Sequence, residues 1–173
     1  MFLPMRPMEG ERLTAQNILA VTRMYRERGY LLQRKLNGDR GVLESRPDGL
    51  MLWNRYGSEY SASAVDLADW NVLPVGTILD GEVWRGEFYP FESIGPQDQA
   101  ARIALAQHWC AFCSNPYVFG GVTDDWLMGE VTLNADPLTR QWEGVVAKFA
   151  SAKYVPLKKP HHESQAWVKL RWC

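Results

Sequence analysis

Short strand-like runs separated by tight-turn signals constrain the fold of this chain more than any other feature of its sequence. Tyr30–Leu36 and Gly41–Leu43 flank Asn37-Gly38, a dipeptide typical of two-residue β-hairpins. Pro47-Asp48-Gly49 marks the next turn, before a third run at Leu50–Arg55. We therefore predict three consecutive antiparallel strands in this part of the chain.

Further strands are predicted in the second half of the sequence. Thr77–Trp84 and Phe88–Ile94 flank the turn Arg85-Gly86-Glu87, and we expect these two runs to pair with each other. Glu143–Phe149 and Trp167–Trp172 are predicted to be the two closing strands.

Helices interrupt the strands without a regular alternation. Thr14 is placed to cap a first helix and Gly29 to end it, and Gln97–Phe112 is predicted to be a second helix. Tyr60–Trp70 is predicted to be a helical connector, whereas Asn115–Arg140 is rich in loop signals and receives no assignment. This order indicates an α+β fold with largely antiparallel β-sheets flanked by helices, and it argues against a doubly wound parallel sheet.

Length and composition fit one soluble domain spanning residues 1–173, since 46% of the residues are hydrophobic. No apolar run is long enough for a membrane helix, and Met1–Arg6 does not resemble a secretory signal, so the cytoplasm is the expected compartment. The net charge of −1 argues against binding nucleic acid by bulk charge. Two basic stretches, residues 23–46 and 151–173, leave two interpretations open, a phosphate-binding face or a solvated surface.

The cysteines allow a separate metal hypothesis. Cys110 and Cys113, together with His108, could suggest a zinc site. They lie in or just beyond the second predicted helix, where residues two apart do not face each other. We therefore favour small, buried hydrophobic side chains as the interpretation of these cysteines.

Lys35 is the first candidate for covalent chemistry. Side chains alternate across a strand, so Gln33 and Lys35 are expected on one face, and Arg34 and Leu36 on the other. Like charges on Arg34 and Arg40 would disfavour the charged form of the Lys35 amine, which is what a lysine nucleophile requires. A polar turn that carries Lys and Arg for no catalytic purpose is the alternative.

Four downstream segments count against a non-catalytic turn at Lys35. In chain order they are Arg55-Tyr56-Gly57, Asp80-Gly81-Glu82, Glu143-Gly144-Val145-Val146-Ala147-Lys148 and Trp167-Val168-Lys169-Leu170-Arg171. Together with Lys35-Leu36-Asn37-Gly38-Asp39-Arg40, this order resembles the superfamily of ATP-dependent DNA ligases, RNA ligases and mRNA capping enzymes, and is closest to the DNA ligases. The resemblance spans nearly the whole chain and implies the nucleotidyltransferase (adenylation-domain) fold.

The resemblance implies a reaction and roles for the nucleotide-binding residues. Lys35 would attack the α-phosphate of ATP, release pyrophosphate and become Lys-AMP, which then passes to a polynucleotide 5′-phosphate. Gln33 would read the adenine amino group. Phe91 would stack on the purine, with an ordinary core phenylalanine as the alternative. Arg40 and Arg55 would contact ribose and phosphate through their guanidinium groups.

The resemblance also implies a divalent cation, Mg²⁺ or Mn²⁺. Glu143 would help to bind it, and Glu82 would hold the ribose or a metal-bound water. Lys169 and Arg171 share one strand face with Trp167 and would grip the α-phosphate. The alternatives are a solvated carboxylate at a strand end for Glu143, and a half-exposed strand for the two cations.

Several positions depart from the DNA-ligase pattern. Asn37 replaces the aspartate of KxDG, a form also found among RNA ligases, and Gln33 stands where DNA ligases commonly carry a glutamate. The sequence ends two residues after Arg171, where family members continue into an OB-fold domain. We therefore expect no OB-fold domain in this sequence, and a stand-alone transferase, a fragment, or half of a two-chain enzyme with a separate OB-fold or other partner chain remain open.

Nicked duplex DNA is the expected acceptor, with RNA as the alternative. A capping-type guanylyltransferase is the nearest enzymatic rival, although Glu143–Lys148 looks more like the DNA-ligase form of that motif. A non-catalytic module that binds nucleic-acid ends or a partner protein is the rival from another class. It has no need of a lysine nucleophile together with two carboxylates.

Overall fold

Two four-stranded sheets form the framework of the computed structural model, which describes residues 4–61, 64–111, 121–133, 136, 138–155 and 163–172. The strands are β1 Pro7–Glu9, β2 Tyr30–Leu36, β3 Asp39–Arg46, β4 Gly49–Asn54, β5 Ile78–Trp84, β6 Glu87–Ser93, β7 Trp142–Phe149 and β8 Ser164–Arg171. The helices are α1 Ile18–Glu27, α2 Gln99–Cys110, α3 Asp124–Thr132 and a short 3₁₀ helix, Ala68–Val72.

The strand order is β1-β8-β7-β2 in the first sheet and β4-β3-β5-β6 in the second sheet. Neighbouring strands are antiparallel except for β1 and β8, which are parallel. The expected α+β fold with largely antiparallel sheets and flanking helices is confirmed. No helix in the described part of the chain is long and apolar enough to cross a membrane.

The predicted hairpin at Asn37-Gly38 is wrong. β2 pairs with β7 and β3 pairs with β4 and β5, so these two residues carry the chain from one sheet to the other. Neither residue has the positive φ that a type I′ turn requires. Instead, the Asn37 backbone N–H donates to the Gln141 carbonyl at 2.9 Å, and its side-chain amide donates to the Arg140 carbonyl at 3.1 Å. The β2–β3 junction therefore lies where the two sheets meet.

The other strand predictions are confirmed with small shifts in their ends. β3 and β4 form the predicted hairpin, β5 and β6 pair around Arg85-Gly86, and β7 pairs with β8. Arg85 and Gly86 have φ of 52° and 80°, as a type I′ turn demands.

The helices differ from their predicted bounds more than the strands do. α1 begins at Ile18 rather than near Thr14, because Thr14 and Asn17 bond each other in a preceding turn. Gly29, with φ of 83°, follows the helix as predicted. Of the predicted connector Tyr60–Trp70, only its last residues enter the 3₁₀ helix.

The helix α3 was missed within the stretch Asn115–Arg140. Thr123 begins it by accepting a hydrogen bond from the Trp126 N–H at 3.2 Å. Asp98 caps α2 by accepting one from the Ala101 N–H at 2.9 Å, so α2 starts two residues later than predicted. Its predicted end, Phe112, lies outside the described residues.

Each sheet has its own apolar core. The first sheet packs against α1 and α3 through fully buried side chains that include Ile18, Leu127, Val145 and Leu170. The second sheet packs against α2 and the 3₁₀ helix, and Cys110 is buried in this core. Cys113 and Cys173 lie outside the described residues, so the hypothesis about the cysteines stays untested for them.

A buried polar cluster around Glu92 connects the two sheets. Glu92 on β6 accepts hydrogen bonds from Gln99 at 2.6 Å and Arg102 at 3.0 Å, both on α2. Lys148 on β7 of the first sheet lies 3.4 Å from the same carboxylate. Trp167 on β8 donates its indole N–H to Gln99 at 2.6 Å. These contacts fix the distance between the sheets, and the space left between them is the pocket described next.

The crossing at Gly38 leads to a test of stability. A methyl group at Gly38 would lie 2.4 Å from the Val83 carbonyl oxygen and 2.9 Å from Glu82 Cγ. We expect Gly38→Ala to lower the free energy of unfolding by about 1–3 kcal/mol, because rigid backbone would have to move. Gly129→Ala is the matched control, since its methyl group would meet nothing within 4 Å and should stabilise α3 by up to about 1 kcal/mol. Urea unfolding that ranks the two variants the other way would contradict this packing.

Candidate active site

A pocket of about 290 Å³ lies between the two sheets. All nine residues proposed from the sequence line it: Gln33, Lys35, Arg40, Arg55, Glu82, Phe91, Glu143, Lys169 and Arg171. They come from β2, β3, β5, β6, β7 and β8 and from the residue after β4. The fold therefore gathers segments that are far apart in sequence, while the role of each residue stays a prediction.

Lys35 and Glu143 form an ion pair at the centre of this pocket. The register of β2 against β7 shifts at this point, since Lys35 pairs with Gly144 and Leu36 pairs with Trp142. Glu143 is thus the extra residue of a β-bulge, an irregularity that re-aims a side chain relative to plain strand alternation. The bulge accounts for a carboxylate at the Lys35 amine.

The surroundings of Lys35 differ from the expectation of like charges. Arg34 turns to Trp126, with its guanidinium carbon 4.7 Å from the ring centroid. Arg40 forms a two-pronged ion pair with Asp80. The charged group that contacts Lys35 is therefore a carboxylate, and the sequence argument from flanking arginines was wrong about the local electrostatics.

A second bulge places Phe91. Along the β5–β6 pair, Asp80 faces Glu92 and Gly81 faces Pro90, so Phe91 is the extra residue. Its carbonyl accepts a hydrogen bond from the Gln33 side-chain amide at 2.9 Å. The Gln33 Oε1 atom is buried and has no hydrogen-bond partner among the described residues. The pocket thus contains an acceptor that can receive a donor from a ligand.

Several contacts within the protein hold the Arg40 side chain in place. Asp80 is completely buried, accepts both prongs of Arg40 and also accepts from the Tyr154 hydroxyl at 2.8 Å. Burial alone would lower the pKa of Arg40, but the charge of Asp80 and its hydrogen bonds raise the pKa overall. A third bond runs from Arg40 to the Met5 carbonyl at 2.9 Å. These bonds fix the wall of the pocket around Arg40.

Glu82 is a half-buried carboxyl group with a pKa raised to about 7. Burial is the largest cause. Lys35 and Arg40 lower this pKa, whereas the negative charges of Glu143 and Asp80 raise it. Glu82 can therefore exchange a proton near neutral pH.

The closing strand β8 divides as its alternation predicted. Val168, Leu170 and Trp172 are buried in the first core, whereas Lys169 and Arg171 line the pocket. Trp167 is only 1% exposed, because it packs under the pocket beside Gln99. Arg55 lies at the pocket with 41% of its side chain exposed, 3.7 Å from Asp39.

Lys148 is a pocket residue that received no role from the sequence. Its side chain is 2% exposed, and its amine lies 4.2 Å and 4.1 Å from the ring centroids of Phe91 and Trp167. Burial lowers its pKa to about 8, although Glu92 opposes the shift. Strand alternation was the signal available, because Val145 and Ala147 are core residues and leave position 148 facing the pocket.

The described residues contain no group of three His, Cys, Asp or Glu side chains placed to hold a metal ion. Glu82 and Glu143 nevertheless line one pocket, and the charge of Glu143 raises the pKa of Glu82. Mg²⁺ commonly takes one or two protein carboxylates and completes its shell with water and phosphate oxygens. The donor set therefore fits a cation that binds together with a phosphate ligand.

A comparison of the sequence with protein-family models and with curated proteins gives no match. Solved structures do match: a mycobacterial DNA ligase D complexed with ATP and MES, with a TM-score of 0.60, 17% identity and coverage of 98% of this chain and 60% of that one. This chain has the fold of the ligase nucleotidyltransferase domain. The ligase domain of M. tuberculosis LigD matches with a TM-score of 0.63 and 17% identity, over 98% of this chain and 59% of that one. An archaeal ATP-dependent RNA ligase matches with a TM-score of 0.50 and 17% identity, over 95% of this chain and 48% of that one.

The chain therefore spans about 60% of the length of the two mycobacterial ligase chains. The expected fold is confirmed. At 17% identity this likeness is a likeness of fold.

The raised pKa of Glu82 predicts a pH-dependent stability. Because its pKa is about 7 in the folded protein against an ordinary value of 4.5, folding favours the protonated form. This contribution is complete below pH 4.5 and is lost as the pH rises through 7. Relative to the parent, Glu82→Gln should gain on the order of 3 kcal/mol between pH 4 and pH 8, since one pKa unit is worth about 1.4 kcal/mol.

Denaturant unfolding of both proteins across this pH range measures the difference. A stability difference that does not change with pH would show that the Glu82 carboxyl group titrates as it does in water.

Proposed function

We propose that this chain is an ATP-dependent, ligase-type adenylyltransferase in which Lys35 is the nucleophile. The observation that carries the proposal is the Lys35–Glu143 pair in a pocket that also contains two strand-borne cations, Lys169 and Arg171. An amine beside a carboxylate, with cations on the next strand, suits attack on a phosphate followed by charge stabilisation.

The proposed step has a simple balance of bonds. The Lys35 Nζ–phosphorus bond forms while the bond from the α-phosphorus to the pyrophosphate oxygen breaks, and the electron pair leaves with pyrophosphate. Glu143 is in contact with the amine and can accept its proton before attack. Lys169 and Arg171 oppose the negative charge that gathers on the α-phosphate and the leaving group.

The pocket also offers contacts for the base. The buried Gln33 Oε1 atom has no partner among the described residues and can accept from the exocyclic amine of adenine. Guanine presents a carbonyl oxygen at the corresponding position, so this acceptor favours ATP over GTP. Phe91 lies beside Gln33 and offers an aromatic ring for the purine.

Glu143 and Glu82 are the residues that would hold Mg²⁺ or Mn²⁺. A bound divalent cation supplies neutralisation of phosphate charge, which phosphoryl transfer generally needs. Glu82 lies on β5 and Glu143 on β7, so their positions are fixed by strand pairing. A cation held by these two carboxylates would therefore keep the triphosphate at a defined distance from the Lys35 amine.

The acceptor proposed for the AMP group is the 5′-phosphate of a nick in duplex DNA. The similar structures include a DNA ligase and also an archaeal RNA ligase. Asn37 stands where the DNA-ligase pattern has an aspartate, and this form of the motif also resembles RNA ligases. RNA ends are therefore the alternative acceptor to be tested beside nicked DNA. A separate chain that clamps the nucleic acid would be needed if transfer to DNA is weak.

The first test is covalent labelling with α-labelled ATP and Mg²⁺. We expect the parent protein to form an acid-labile AMP adduct and Lys35→Ala to form none, because alanine at position 35 leaves no amine beside Glu143. Lys153→Ala is the matched control, since it removes an exposed lysine outside the pocket. Denaturing gels and intact-mass analysis measure the adduct, and GTP in place of ATP tests the base.

An adduct that persists in Lys35→Ala would contradict the assignment of the nucleophile. Absence of any adduct with either nucleotide would favour the non-catalytic binding module instead.

A second test concerns the carboxylate beside the nucleophile. We expect Glu143→Gln to slow adduct formation by about 10²-fold or more and to weaken Mn²⁺ binding measured in the presence of ATP. Glu163→Gln, an exposed residue just before β8, is the control and should behave like the parent. Normal Mn²⁺ binding by Glu143→Gln would remove Glu143 from the set of metal ligands.

A further inference from the structure

The N-terminal strand β1 brings a carboxylate to the two cations assigned to the phosphate. Glu9 lies 2.9 Å from the Lys169 amine and 3.6 Å from an Arg171 guanidinium nitrogen. The Arg171 Nε atom is also 3.7 Å from Glu143. Glu9 is not among the residues that line the pocket, so it contacts both cations from the side.

The position of Glu9 is fixed by backbone pairing rather than by a loose side-chain contact. In the parallel β1–β8 pair, Glu9 is in register with Lys169. The Gly10 N–H donates to the Lys169 carbonyl at 2.9 Å, and the Leu13 N–H donates to the Arg171 carbonyl at 2.7 Å.

Gly10 allows this close approach. A methyl group there would lie 2.4 Å from Val168 Cγ1 and 2.8 Å from Leu170 Cδ2. The absence of a side chain therefore lets the segment after β1 press against β8, which holds Glu9 beside the cations.

The positive charges around Glu9 favour its ionised form. Burial alone would raise the pKa of Glu9, but the hydrogen bond from Lys169 and the positive charges of Arg171, Lys169 and Lys35 lower it overall. Glu9 is therefore ionised at neutral pH. With 55% of its side chain exposed, it can also turn to solvent at little cost.

We propose that Glu9 is a positioning residue that acts through Lys169 and Arg171 and sets their affinity for the phosphates of ATP. This inference rests on the proposed function. Glu9 is the counter-ion of the two cations, and a triphosphate that binds them has to compete with its carboxylate. A carboxylate within 4 Å of both cations lowers their attraction for an anion in the pocket.

This role predicts that loss of the Glu9 charge changes KM for ATP and leaves kcat almost unchanged. The triphosphate is already highly anionic when it binds, so removing the charge of Glu9 should strengthen its contact with the cations in the bound substrate by nearly as much as in the transition state. Uniform strengthening of this kind lowers KM and leaves kcat unchanged. A residue that merely supported the fold, or that oriented Lys169 for the reaction itself, would lower kcat.

The test compares Glu9→Gln with Glu11→Gln, a control that makes the same change at an exposed position two residues along the chain. Inorganic tripolyphosphate is the first probe, because its binding does not depend on the base or on adduct formation. We expect Glu9→Gln to bind it roughly three- to tenfold more tightly than the parent, by calorimetry at low salt, and Glu11→Gln to bind it like the parent. The difference should shrink as the salt concentration rises.

The second measurement is the rate of AMP-adduct formation against ATP concentration. KM for ATP should fall by a similar factor in Glu9→Gln, with kcat within about twofold of the parent. Glu9→Asp, whose carboxylate is one methylene shorter, should give an intermediate KM.

The outcomes separate the two proposals. Tripolyphosphate binding that is unchanged or weaker in Glu9→Gln, or a lower kcat with unchanged KM, would overturn the role of Glu9 even if the parent forms the adduct. Tighter tripolyphosphate binding without an adduct from any nucleotide would support the role of Glu9 and reject the proposed function.

Discussion

The placement of Glu92 is the constraint on which the rest of this structure depends. This buried carboxylate on the second sheet accepts from Arg102 and Gln99 on α2 and lies beside Lys148 on the first sheet. Removing one member of a buried ion pair leaves an uncompensated charge and commonly costs about 3–5 kcal/mol. The two sheets are therefore held at one separation. Because the pocket is the gap between them, its width follows from this cluster.

Within that gap, chemistry depends on departures from regular strand geometry. Bulges at Glu143 and Phe91 turn these residues toward the pocket, and Asn37-Gly38 carries the chain from one sheet to the other two residues after Lys35. Each departure is stabilised by contacts with segments distant in sequence. The motifs follow one another along the chain, and the fold brings them together so that seven of the eight described strands contribute residues to one pocket.

Much of this could be predicted from the sequence, because strand alternation and turn chemistry are local. The faces of β8 and the hairpin at Arg85-Gly86 are examples. The path of the chain at Asn37-Gly38 could not be predicted. Asn37 donates hydrogen bonds to the distant Gln141 and Arg140 carbonyls, and the dipeptide then connects the two sheets instead of forming a hairpin. The bulge at Phe91 had a signal in the preceding proline, which within sheets is confined to edges and bulges. The buried state of Lys148 depended on which sheet covers it, and that is a long-range property.

We propose that this pocket directs adenylylation to Lys35, beside Glu143, and not to the other two lysines that line it, Lys169 and Lys148, the latter with a pKa lowered to about 8. The most direct measurement is the localisation of the AMP group by tandem mass spectrometry of peptides prepared under mildly basic conditions, after reaction with ATP and Mg²⁺. We expect modification of the peptide that contains Lys35 and none at Lys148 or Lys169. An AMP group found on Lys148, or on exposed lysines in proportion to their exposure, would contradict it.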